Sequence, residues 1–218
     1  MGGTITAIEI QQKRKNRVNV YLDDTYAFSL STIVAERAGL AVGASLTDDD
    51  VEALAADDNY QRAFDSALNF LSYRPRSVRE VRLNLAKKGV DPVSIDKVVT
   101  RLTELGLLDD HAFAQFWQEN RQRCSPRGPL AIKAELISKG LERDVIDGVL
   151  EDNIDQERDA YAAAQKKIPS LRGLDYRAFR QRLGSHLLRR GFSYDVIATL
   201  TRRLWQEMHP EQAEEEYD

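Results

Sequence analysis

Residues 83–90 read LNLAKKGV, an apolar helical stretch that runs into two lysines and then a glycine. The shape returns at 134–141 as AELISKGL and at 185–192 as SHLLRRGF. Fifty-one residues separate Gly89 from Gly140, and 51 separate Gly140 from Gly191. The register holds without gaps. Four residues before each glycine stand Leu85, Leu136 and Leu187, and eight before stand Val81, Ile132 and Leu183. One after stand Val90, Leu141 and Phe192, six after stand Ile95, Ile146 and Ile197, and nine after stand Val98, Val149 and Leu200. These are the core positions of two helices joined at the glycine. A further helix precedes each pair: RAFDSALNFLSYR at 62–74, HAFAQFWQENRQR at 111–123 and RDAYAAAQKKI at 158–168. The period therefore describes three tandem units of three helices each.

A three-helix unit of this size buries little apolar surface alone, so neighbouring units should stack. The expected fold is mainly α: three three-helix repeats in an elongated, curved array with a continuous concave side. In front of it, TITAIEI, RVNVYL and YAFSL carry the β-branched and aromatic residues of strands. They predict a small antiparallel β-meander, with Asp23-Asp24 as a tight hairpin turn. Ser31 is placed to cap a short helix ending at Gly39, and Thr47 with Asp50 to box the start of a second, TDDDVEALAADD. The expected division is a β-rich domain at 1–59, repeats at 60–105, 106–153 and 154–206, and an acidic, disordered tail at 207–218.

Charge is patterned beneath the net value of −4. Segment 62–102 carries nine Lys or Arg against four acids, and 158–203 carries eleven against Asp159, Asp175 and Asp195. Acids gather in the connecting stretches and after Leu204, so a polyanionic partner is compatible with a negative total. The single cysteine, Cys124, rules out an intrachain disulfide and suits a reducing cytoplasm. No apolar run is long enough for a membrane span, and the N-terminus lacks the apolar core of a signal peptide.

Catalytic chemistry finds little support. His111, His186 and His209 have no metal-ligand spacing, and no phosphate-binding loop motif occurs. The glycines are explained as helix stops, because glycine enters the left-handed conformation that lets following N–H groups reach the last carbonyls. The cations beside them have two readings: compensation of the helix dipole, worth about 0.3–1 kcal/mol, or a recurring surface for a partner. At 73–77, YRPRS, a Ser77/Glu80 capping box is expected, leaving Arg74 and Arg76 without structural duty. With Arg79 and Arg82 they suit carboxylates or phosphates, or else form a solvated face. One aspartate of GLLDD, at 106–110, should cap the next helix. Phe113, Phe116 and Trp117 read as core.

YRPRS with a following KKG, GLLDD with Phe113-Ala114 and Trp117 beyond it, then Arg127-Gly128-Pro129, Glu135-Leu136 and Lys139-Gly140 together resemble the RecX family of recombination regulators. The resemblance is strong over 62–150 and looser to about 205; the third repeat has no YRPRS or GLLDD. It implies a monomeric cytoplasmic regulator that binds the RecA recombinase filament, reaches single-stranded DNA within it, and inhibits its ATPase and strand exchange during recombinational DNA repair and the SOS response. It implies no cofactor and no catalytic residue. The matched positions are expected as binding surface: Arg74, Arg76, Lys87 and Lys88 in the first repeat, and Arg121, Arg127 and Lys139 in the second. Arg177, Arg180, Arg189 and Arg190 join them on charge alone. The alternative is a helical repeat module that binds single- or double-stranded DNA directly.

Overall fold

In the computed structural model, which describes residues 2–152 and 155–210, each of the three stops is closed by the same pair of hydrogen bonds. The N–H of Gly89 reaches the Ala86 carbonyl and that of Val90 reaches Leu85; Gly140 and Leu141 repeat this on Ile137 and Leu136, and Gly191 and Phe192 on Leu188 and Leu187. The glycines have φ of 79°, 87° and 82°. This is the Schellman termination, in which a left-handed residue lets the chain fold back on its last carbonyls. Of the fifteen core positions read from the repeat, all but Val90 are buried.

The chain packs as two units, Met1–Pro75 with Glu80–Leu108, and Arg76–Arg79 with Asp109 onward. The first opens with a four-stranded antiparallel sheet in the order β3-β2-β1-β4, formed by β1 (Gly3–Ile10), β2 (Arg17–Leu22), β3 (Thr25–Ser31) and β4 (Ser45–Leu46). The meander thus gains a fourth strand at its β1 edge. Asp23 and Asp24 join β2 to β3 with φ of 47° and 63°, the mirror-image turn whose twist suits paired strands. Helix α1 (Thr32–Arg37) is capped by the Ser31 side chain and stopped at Gly39. Ile5, Val20, Leu30 and Val34 lie in the core of this domain.

Helix α2 (Asp48–Leu71) begins at the Thr47–Asp50 capping box and runs for 24 residues. The sequence predicts two separate helices here, with a boundary at 59/60. They are one, because DDNYQ, at 57–61, contains no Gly or Pro to interrupt it. Asp58 sits at mid-helix and is buried. It accepts from the Ser31 N–H at 2.7 Å and pairs with Arg17 at 3.0 Å, which ties the sheet to α2. Helices α3 (Val78–Lys87) and α4 (Pro92–Glu104) complete the first repeat, with Asp91 capping α4. Val81, Leu85, Ile95, Val98 and Leu102 are its buried face.

In the second unit, α5 (Asp110–Cys124), α6 (Pro129–Ser138) and α7 (Arg143–Asp152) enclose Phe113, Ile132, Leu136 and Ile146. Asp109 caps α5, accepting from the His111 and Ala112 N–H groups. The third repeat comprises α8 (Gln156–Gln165), a short 3-10 turn (Ile168–Leu171), α9 (Tyr176–Arg189) and α10 (Tyr194–Met208) around Phe179, Leu183, Leu187 and Phe192. Trp205 closes this core against Phe179, with ring centroids 5.3 Å apart. Helix α10 runs two residues into the stretch expected as tail; residues 211–218, with Tyr217, lie outside the described residues.

Candidate partner-binding surface

The cations expected as a surface fall into three local settings. In the second repeat, Arg121, Arg127 and Lys139 come together around Trp117 and Glu135. Glu135 projects from the last turn of α6 and takes the Arg121 Nε at 2.8 Å on one oxygen and an Arg127 Nη at 2.9 Å on the other. The first oxygen also accepts from the Trp117 indole N–H at 2.7 Å. The Arg121 guanidinium stands 4.7 Å from the centre of the Trp117 ring, and the Lys139 ammonium 4.9 Å. Arg121 and Arg127 share the one Glu135 carboxylate, and Arg121 and Lys139 both stand over the half-buried Trp117 ring. Trp117, read as core, is only partly so: its edge is fixed by Glu135 and its ring carries cations. In the sequence Glu135 stands only as part of the Glu135-Leu136 motif. Its organising role follows from α5 and α6 packing side by side, which the sequence does not state.

In the first repeat the expected corner divides. Arg74, read as having no structural duty, makes two hydrogen bonds to Glu80 at 3.1 and 3.2 Å and one to the Pro75 carbonyl. Arg76 is half-buried. Lys87 and Lys88 stand exposed at the far end of α3, about 15 Å along a ten-residue helix from its start. Lys88 donates to the Ser66 hydroxyl, and Arg82 pairs with Asp96. Ser77 is fully buried and its Oγ donates to the Lys139 carbonyl at 2.8 Å.

The third repeat separates Arg190 from its neighbours. Arg190 turns inward: its guanidinium donates to the Pro126 carbonyl at 3.0 Å and to His186 Nε2 at 3.1 Å. Burial first, then the charges of Arg190, Lys167 and Arg189, hold the His186 imidazole below the ordinary histidine range. It is therefore a neutral acceptor for Arg190. Arg177, Arg180 and Arg189 are exposed on α9, the first two separated by three residues on one side of the helix. In α8 the buried Asp159 is pushed above the usual carboxylate range, mainly by burial.

Among the described residues, no group of three or more His, Cys, Asp or Glu is placed to hold a metal ion. No described helix is long and apolar enough to cross a membrane.

Three repeated three-helix units that follow a small antiparallel sheet in the chain define a helical-repeat protein. The chain belongs to the RecX family of regulatory proteins. Residues 3–47 match the RecX regulatory-protein N-terminal domain, and 63–102, 109–150 and 155–200 match its first, second and third three-helix domains. Regulatory protein RecX of Halalkalibacterium halodurans is 36% identical over 202 residues, which cover 88% of this chain and 75% of that protein. Regulatory protein RecX of Bacillus subtilis is 36% identical over 196 residues, 89% of this chain and 74% of that one. A crystal structure of regulatory protein RecX, 28% identical, superposes with a TM-score of 0.76 over 91% of this chain and 98% of its own. RecX from Lactobacillus salivarius, also 28% identical, gives 0.62 over 68% and 97%.

Proposed function

We propose that this regulatory protein binds the RecA recombinase filament and lowers its ATPase and strand-exchange activities, acting as a monomer in the cytoplasm in recombinational repair and the SOS response. Membership of the RecX family carries this reading. The site supports it with exposed cations that the fold does not consume: Lys87, Arg177, Arg180 and Arg189 are exposed and form no ion pair among the described residues. Arg121 and Arg127 share a single carboxylate, that of Glu135. Such charges set encounter rate and register on an acidic assembly, while buried anchors supply affinity. Inhibition is then steric or conformational: a bound protein opposes the movement of filament subunits between active and inactive states. No group in the chain is asked to perform hydrolysis.

The second reading, direct binding of the chain to DNA, draws on the same exposed arginines of α9. Fluorescence anisotropy separates the two. Labelled protein should bind preassembled filaments on single-stranded DNA far more tightly than naked strands at the same salt. Equal affinity for naked DNA, with a steep loss on adding salt, favours the DNA-binding module. No binding to filaments overturns the first reading.

A further inference from the structure

Two of the three helix stops are already received by the start of another helix. At the second, Ser77 Oγ donates to the Lys139 carbonyl at 2.8 Å, and the Val78 N–H donates to Asp110 at 2.9 Å. The stem of Arg79 covers the Gly140 α-carbon, where an added methyl would meet it at 2.4 Å. At the third, the Gly128 N–H donates to the Arg190 carbonyl at 2.8 Å and the Leu130 N–H to that of Gly191 at 3.3 Å. Ala131 covers Gly191 as Arg79 covers Gly140. In both, donors at the positive start of one helix meet carbonyls at the negative end of another.

The first stop has the same backbone, yet among the described residues nothing lies within 4 Å of where a methyl on Gly89 would stand. Beside it opens a cleft of about 430 Å³ lined by Asn59, Arg62, Ala63, Ser66 and residues 88–91, all within the first unit. The 51-residue register carries Ala63 onto Ala114, both buried, and Lys88 with Ser66 onto Lys139 with Trp117, both in contact. It carries Asn59 onto Asp110, the acceptor of the Val78 N–H. Asn59 is exposed, with its amide oxygen available as the same kind of acceptor.

We infer that Asn59, Ser66 and the Lys88-Gly89-Val90 turn form a seat for the N-terminus of a helix supplied by a partner protein. The occupant begins with Ser, Thr or Gly, whose donor meets the Lys88 carbonyl. An acid in its first turn answers Arg62 and Lys88. Among the described residues, the middle helices of the three repeats do not supply it. The starts of α3 and α6 are engaged, and the corresponding position in the third repeat, Phe179, is buried within α9, which begins earlier in the register. A second copy brings the same engaged middle-helix starts, and the occupant assigned to the seat is a helix of a different protein. The choice of the recombinase as that protein rests on the proposed function.

The test uses the full chain with photoreactive benzoylphenylalanine at position 59, illuminated with RecA filaments on single-stranded DNA, and the joined peptides are mapped. Filament binding of Asn59→Trp is measured alongside, with Asp57→Trp on the same helix outside the cleft as control. The seat predicts crosslinks to the first turn of a recombinase helix and at least about tenfold weaker binding for Asn59→Trp, with Asp57→Trp unchanged and both melting as the parent. Filament binding with crosslinks to strands or helix interiors, or unchanged binding by Asn59→Trp, overturns the seat and leaves the proposed function standing. Absence of filament binding by the unsubstituted chain overturns the proposed function and the assignment of the recombinase to the seat together.

Discussion

Gly191 and Ala131 approach so closely that a methyl group on Gly191 would stand 2.3 Å from the Ala131 amide nitrogen. The three stops share one backbone but not one cost of substitution. At Gly89, alanine meets only the left-handed backbone penalty, about 1–2 kcal/mol. At Gly191 it must also push apart two helix ends, which adds about 1–3 kcal/mol. Urea denaturation of Gly89→Ala and Gly191→Ala in the full chain should give a clearly larger loss for the second. Equal losses would mean that the contact with α6 contributes no constraint.

Glu135 holds three donors with two oxygens. Glu135→Gln leaves Arg121 and Arg127 without their counter-charge while conserving shape. Both arginines reach solvent, so the loss should be about 1–2 kcal/mol, below the cost of orphaning a fully buried charge. In a Trp205→Phe background the emission of Trp117 should shift to longer wavelength as its ring loosens. An unshifted spectrum with unchanged stability would show that the cluster does not order Trp117.

The third repeat should weaken on mild acidification. The folded His186 is held below its ordinary value of 6.5, chiefly by burial. As pH falls through 6.5 the unfolded chain takes up the proton first, so folding stability declines until the folded imidazole also protonates. Thermal melts between pH 7.5 and 5 should show this slope, and His186→Gln should flatten it. The buried Asp159 works in the opposite sense, since its raised value favours the fold at low pH; melts in an Asp159→Asn background isolate the histidine. A slope that survives His186→Gln there belongs to another group.

Charge reversal distinguishes surface from scaffold among the arginines. Arg177→Glu with Arg180→Glu should leave the unfolding free energy within about 0.5 kcal/mol of the parent and weaken filament binding several-fold. Arg190→Glu should instead lower the midpoint, because it places a carboxylate against the Pro126 carbonyl and removes the donor to His186. If the doubly reversed protein binds filaments as the parent does, those arginines are only a solvated face.

The repeat was legible because a helix stop needs a residue of rare conformational freedom. Glycine marks it at a constant spacing, and the apolar positions around it follow the helical period. Caps were legible for the same local reason: Ser31, Thr47 and Asp109 act within three residues of themselves. What escaped depends on residues far apart in the chain. Asp58 looks like one more acid in a solvated stretch; Arg17 and Ser31, 41 and 27 residues away, make it a buried ion-pair member. Arg74 and Arg190 looked alike as cations beside turns, and local sequence does not say that their partners are Glu80 and Pro126. The seats for the second and third stops were equally hidden. Ser77 and Gly128 share no side-chain chemistry; what they share is a donor at a helix start.

The most direct measurement is a titration of this protein into RecA filaments on single-stranded DNA, with ATP hydrolysis followed continuously. Hydrolysis should fall and saturate at or below one molecule per recombinase subunit. Hydrolysis that stays constant at saturating protein would contradict the proposed function.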